Sequence, residues 1–222
     1  MMELSGPSHP PRGGGKAKRL VVLLHGYGSN GDDLISLAPF FAQALPDAEF
    51  LSPNAPFPCE IAPMGFQWFG FEDRTPEMLL GGTRLAAEVL DKFLDAELAK
   101  RGLADRDLAL VGFSQGTMMS LHVGPRRANP IGGILGFSGS LIAPQLLGSE
   151  LKSRPPVLLV HGTADQVVPY GALAQAEKAL KDAGIPVETE ARPGLPHSID
   201  QAGAQTGALF LRRCLGGAAA PE

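Results

Sequence analysis

Leu108-Ala109-Leu110-Val111-Gly112-Phe113-Ser114-Gln115-Gly116 is the stretch that decides the fold. An uninterrupted apolar run is what a strand buried on both faces requires. It passes without a loop into Gly112-x-Ser114-x-Gly116, and a helical pattern follows from Gln115. A strand-to-helix turn this sharp needs small residues two positions either side of its centre. It lifts the central hydroxyl above the sheet, with the N-terminus of a helix behind it to favour developing negative charge. The plainer alternative is that Ser114 only caps the helix.

The same alternation continues on both sides of this turn. Upstream, Leu20 to Leu24 predicts a strand ending at His25-Gly26, Asp32 to Leu45 a helix, and Phe50-Leu51 a short strand stopped by Pro53. Thr75 opens a long helix from Pro76 to about Arg101, whose apolar stripe is Met78, Leu85, Val89, Phe93 and Leu94, and Gly102 ends it. Downstream, strands are expected at Asp107 to Phe113, Ile131 to Phe137, Val157 to Val160 and Val187 to Ala191. Helices are expected at Gln115 to Arg127, Ala172 to Ala183 and Ser198 to Arg213. Strands alternating with helices imply an α/β fold, a mostly parallel central sheet flanked by helices. Residues 19–215 then form one domain, between a flexible leader at 1–18 and a flexible tail at 216–222. Ligands on such sheets sit at the carboxyl ends of the strands.

Composition narrows the function classes. The 222 residues suffice for one domain with a single core. With 19 Lys and Arg against 23 Asp and Glu, the basic excess of a nucleic-acid binder is missing. Two cysteines, Cys59 and Cys214, are too few for a disulfide framework or a zinc site and fit free thiols in the cytoplasm. No apolar run reaches the roughly 18 residues of a membrane span, and residues 1–19 hold no secretory apolar core.

Two further strand ends carry polar residues. After Val157-Leu158-Leu159-Val160 comes His161-Gly162-Thr163-Ala164-Asp165, and after the last strand comes Pro193-Gly194-Leu195-Pro196-His197-Ser198. Taken alone, Asp165 would be an Asx turn and His197 a solvated loop residue. Together with Ser114 they give the chain order Ser, Asp, His, which distinguishes the α/β-hydrolase arrangement of a catalytic triad from other serine-hydrolase lineages. His25 and His161 each precede a glycine at a strand end and read as turn braces, and His122 lies within a helix. An oxyanion hole needs two converging backbone N–H groups. Gln115 supplies one, and the glycine-rich loop Gly26-Tyr27-Gly28 supplies the other, with Tyr27 preferred to Gly26.

Leu24-His25-Gly26-Tyr27-Gly28, Gly112-Phe113-Ser114-Gln115-Gly116, His161 to Pro169 and Pro196-His197-Ser198, in this order across residues 19–213, resemble the phospholipase/carboxylesterase family, which includes the acyl-protein thioesterases. The resemblance implies a minimal α/β-hydrolase without a large lid. It also implies Ser114 as nucleophile, Asp165 as acid, His197 as base, and the Tyr27 and Gln115 amides as oxyanion donors. The chain departs from the family's usual pattern at Thr117, where a second glycine is common, at Pro196, and at Trp68-Phe69-Gly70.

These readings lead to a serine carboxylesterase of short- to medium-chain esters, working through an acyl-enzyme and needing no metal or cofactor. The partner expected is a small ester, with no nucleic acid. The alternatives are an acyl-protein or other acyl thioesterase or lysophospholipase and, from another class, a non-catalytic hydrolase-like binding protein. Residues 57–75 show no period and hold Phe57, Phe66, Trp68, Phe69 and Phe71. An irregular segment this long is usually functional. It is expected to line the acyl pocket through Trp68, Phe66, Phe69 and Met64, with Leu141 and Val168 as further wall residues. Ordinary core packing, or contact in a homodimer, would account for the same aromatics.

Overall fold

The computed structural model describes residues 3–216. In chain order the elements begin with β1 (Ser8–His9), β2 (Arg19–Leu24), α1 (Gly31–Leu34), α2 (Ala38–Ala44) and β3 (Ala48–Leu51). A hairpin of β4 (Phe57–Pro58) and β5 (Phe66–Gln67) follows, then α3 (Pro76–Arg101), β6 (Leu108–Phe113), α4 (Gln115–Val123) and β7 (Gly133–Phe137). The chain ends with α5 (Leu147–Glu150), β8 (Val157–Gly162), α6 (Gly171–Asp182), β9 (Val187–Arg192) and α7 (Gln201–Leu215). Seven strands form one sheet in the order β1-β3-β2-β6-β7-β8-β9. All neighbours run parallel except β1, which is antiparallel to β3.

The period of two along β2 sets the layers. Leu20, Val22 and Leu24 face a core closed by α3, α4 and α6, while Val21 and Leu23 face one closed by α2 and α7. No large lid covers the carboxyl ends among the described residues: the segment from Gly139 to Arg154 holds only a short 3-10 turn and the one-turn α5.

Several expectations need correction. The leader is not loose where it is described. β3 would otherwise be an edge with unpaired backbone groups, and residues 5–9 cover it: Ser52 N donates to Pro7 O at 3.0 Å and Asn54 N to Ser5 O at 2.9 Å. The expected flexible tail, apart from Gly216, lies outside the described residues. The single helix expected over 32–45 is broken by a 3-10 turn at Ile35–Leu37, with Pro39 in the first turn of α2. Pro125 likewise ends α4 early and turns Gly124–Arg126 into a 3-10 segment. The buried stripe of α3 is Thr83, Ala86, Leu90, Leu94 and Leu98, so of the expected stripe Met78 and Leu85 point to solvent. The reason is Gly82, where an added Cβ would lie 2.8 Å from Phe69 Cβ. The helix approaches the 68–69 segment on its small residues, not on its large ones.

Candidate active site

Ser114 follows β6 with φ 54° and ψ −115°, a conformation that non-glycine residues rarely adopt and that surrounding structure must hold in place. Two glycines make the turn possible. A Cβ on Gly112 would lie 2.4 Å from Gly116 C, and one on Gly116 only 1.8 Å from Leu24 O. Thr117, the departure from the family pattern, fits because Gly136 and Gly139 leave room for its methyl, and its hydroxyl lies 2.8 Å from both Gly112 O and Phe137 O.

Asp165 sits in the turn after β8. Its Oδ1 accepts from Val167 N and Val168 N, both at 2.9 Å, and its Oδ2 accepts from His197 Nδ1 at 2.7 Å. Burial alone would raise the pKa of this carboxyl. The His197, Val168 and Val167 donors outweigh it and hold the group below its ordinary value, so it is a carboxylate at neutral pH. A carboxylate can only accept, so His197 donates from Nδ1, and in the neutral ring Nε2 is the nitrogen free to take a proton. His197 reaches the turn from the loop before α7, which Asp200 caps by accepting from Gly203 N.

Asp165 and His197 are thus hydrogen-bonded. Ser114 is brought to the same rim, its preceding residue Phe113 packing on the His197 ring at 4.8 Å between centroids. Among the described residues no hydrogen bond joins the Ser114 hydroxyl to His197, and such bonds are often long before substrate binds. The loop after β2 runs close over the serine: a Cβ on Gly26 would lie 3.4 Å from Ser114 Cβ. Gln115 is the first residue of α4, where a backbone N–H has no acceptor inside the helix.

The stretch expected to line an acyl pocket behaves differently. Trp68 is completely buried, and Phe69 nearly so. A side chain without exposed surface cannot form the wall of an open pocket, so the structure corrects the expectation for both. Val168 is buried as well, its backbone serving the Asp165 turn. Phe66 and Leu141 are half-buried, and Met64 is 87% exposed near the tip of the β4–β5 hairpin.

Trp68 has another part. Its Nε1 donates to His25 O at 3.1 Å, and its backbone N donates to the Gln115 side chain at 2.9 Å. Gln115 Nε2 in turn donates to Phe69 O at 2.7 Å. His25 Nε2 accepts from Ala55 N at 2.9 Å, which fixes the ring proton on Nδ1, 2.7 Å from Gly26 O. Burial lowers the His25 pKa and keeps the ring neutral. The residue after the serine and the loop over it are therefore joined through one buried chain of hydrogen bonds.

His161 was also underrated by its sequence position. Its Nε2 lies 2.9 Å from Val168 O and 3.3 Å from Asp165 Oδ2. A carbonyl only accepts, so Nε2 bears the proton and faces both groups. The signal for these roles was weak: only the adjacency of His25 and His161 to strand-end glycines hinted at them. Among the described residues no cluster of His, Cys, Asp and Glu could hold a metal ion.

The sequence model of the phospholipase/carboxylesterase family matches residues 12–215. The crystal structure of esterase PE8 is 45% identical with a TM-score of 0.91, over 96% of this chain and all of that one (100%). Acyl-protein thioesterase 1 of Gibberella zeae is 27% identical over 88% of this chain and 90% of its own length. Carboxylesterase SOBER1 of Arabidopsis thaliana is 29% identical over 82% and 85%.

Proposed function

The chain belongs to the phospholipase/carboxylesterase family, and on that footing we propose that it is a serine carboxylesterase acting on short- to medium-chain esters. The observation that carries the reading is the 2.7 Å bond from His197 Nδ1 to Asp165 Oδ2 on the rim where Ser114 stands in its strained turn. The bare Nε2 of His197 takes the Ser114 proton as the hydroxyl oxygen attacks the ester carbonyl. The Tyr27 and Gln115 N–H groups hold the oxyanion. His197 then gives its proton to the leaving alcohol, and an acyl-Ser114 ester remains. Water, deprotonated by the same nitrogen, releases the acid. The acyl chain is assigned to the side carrying Phe66, Met64 and Leu141, where the absence of a large lid among the described residues favours short and medium chains.

Among the described residues no helix is long and apolar enough to cross a membrane. Cys59 and Cys214 are both free thiols, which supports the cytoplasm as compartment. A second reading, an acyl-protein thioesterase, is favoured by the similarity to the fungal protein of that name. Rates on p-nitrophenyl butyrate and on a palmitoylated peptide separate the two. The nucleophile is tested with Ser114→Ala, which is expected to lose hydrolysis and labelling by a fluorophosphonate. Stoichiometric labelling of that variant would overturn the assignment.

A further inference from the structure

Phe113 has two sides. One packs on the His197 ring. The residue also lines, with Ile199, a cavity of about 200 Å³ completed by Leu34, Leu37, Asp33 and Ser36. Ile199 is two positions beyond His197, and Phe113 is one before Ser114. The cavity is therefore walled by residues one and two positions along the chain from the attacking hydroxyl and the proton-transferring base, and Phe113 links it to the His197 ring. None of Phe66, Met64 and Leu141, the residues on the acyl side, lines it.

The chemistry of the transfer says which part of an ester belongs there. The base must hand its proton to the leaving oxygen, so the group attached to that oxygen has to lie alongside the imidazole. We propose that this cavity receives the alcohol portion of the substrate. The assignment rests on the esterase reading and extends it to the leaving group. At roughly 30 Å³ per non-hydrogen atom, the space admits about seven of them, the size of a benzyl group. Leu34, Leu37, Phe113 and Ile199 supply apolar contact. Asp33, whose Oδ2 accepts from Ser29 Oγ at 2.7 Å, places a carboxylate at the polar end. Asp32 adds a second acid in the same helical turn. The class selected is a small, largely apolar alcohol that carries no negative charge. An anionic leaving group, such as a phosphate-bearing alcohol or thiol, meets like charge.

The test compares butyrate esters that share one acyl-enzyme and differ only in the alcohol: methyl, benzyl and carboxybenzyl. Leu37→Trp fills the cavity and is expected to cut the benzyl-to-methyl ratio of kcat/KM about tenfold or more. Ile199→Ala enlarges it and is expected to raise the rate on a naphthylmethyl ester relative to benzyl. Asp33→Asn is expected to raise the carboxybenzyl-to-benzyl ratio. Ratios within twofold of the wild-type values in all three variants overturn the subsite. So does a shift that follows the acyl chain instead, seen by comparing methyl butyrate with methyl octanoate. If the wild-type protein turns over none of these esters, the esterase reading falls and the subsite falls with it. Turnover with unmoved ratios removes the subsite alone.

Discussion

The indole N–H of Trp68 donates to the carbonyl of His25 across 43 residues of chain, at 3.1 Å and fully out of solvent. The carbonyl belongs to the peptide that leads into Gly26 and Tyr27, so its orientation governs where the next amides point. Trp68→Phe keeps the ring in the core but leaves the His25 carbonyl unpaired, a loss of about 1–3 kcal/mol for a buried group. If Tyr27 N–H is an oxyanion donor, the variant is expected to lose kcat about tenfold with little change in KM. Its preference across p-nitrophenyl acetate, butyrate and octanoate should stay as in the wild type. A changed chain-length preference with kcat intact would return Trp68 to the acyl pocket.

His161 shares one proton between Val168 O and Asp165 Oδ2. The longer, shared contact to the carboxylate is weaker than a full charge-assisted bond, so about 1 kcal/mol is at stake. His161→Phe is expected to lower kcat five- to tenfold, at unchanged KM, by freeing Asp165 to turn from His197. His161→Gln, which restores an N–H donor, is expected to recover most of it. Equal kcat in the two variants would show that His161 only fills space.

Much of this arrangement was legible because it follows from local rules. The Gly112-x-Ser114-x-Gly116 turn announces itself in five consecutive residues, although Gly116 is also required by the approach of Leu24 O, and the positions of Asp165 and His197 follow from strand ends in a parallel sheet. The full burial of Trp68 was not legible, because an aromatic-rich irregular segment carries no periodicity. Nothing in the sequence shows that Gln115 anchors its backbone at both 68 and 69. The same limit explains α3. Its large apolar residues suggest one face, but Gly82 and Ala86 let the helix approach the Phe69 region on another. Close packing selects small residues, which a hydrophobic pattern ranks last.

Arg127, with its guanidinium largely buried, holds three carboxylates: Asp91, Asp95 at 2.6 Å and Asp105 at 2.6 Å. Arg127→Met leaves Asp105 in a mostly covered position without its partner, while the more exposed Asp91 and Asp95 regain water. A destabilisation of about 2–3 kcal/mol is expected, below the full figure for breaking a buried pair because two partners are screened. Urea unfolding measures it. The site lies elsewhere on the fold, so kcat at 25 °C should stay with the wild type; a fall in kcat at equal fraction folded would contradict this.

His122 lies in α4 with Nδ1 buried and unpartnered among the described residues. Burial, helped by the positive charges of Arg126 and Arg84 and opposed by Glu150, pushes its pKa down to about 4. In the unfolded chain the same ring titrates near ~6.5. Between these values the unfolded state binds a proton that the folded state refuses, so stability falls as pH drops from about 6.5 and stops falling near the folded value. The full window corresponds to about 3 kcal/mol. His25, also held neutral by burial, adds loss of the same sign. His122→Leu is expected to flatten the slope of unfolding free energy between pH 7 and pH 4.5 without abolishing it, as read from urea titrations at half-unit steps. An unchanged slope in that variant would mean that the acid sensitivity arises from other groups.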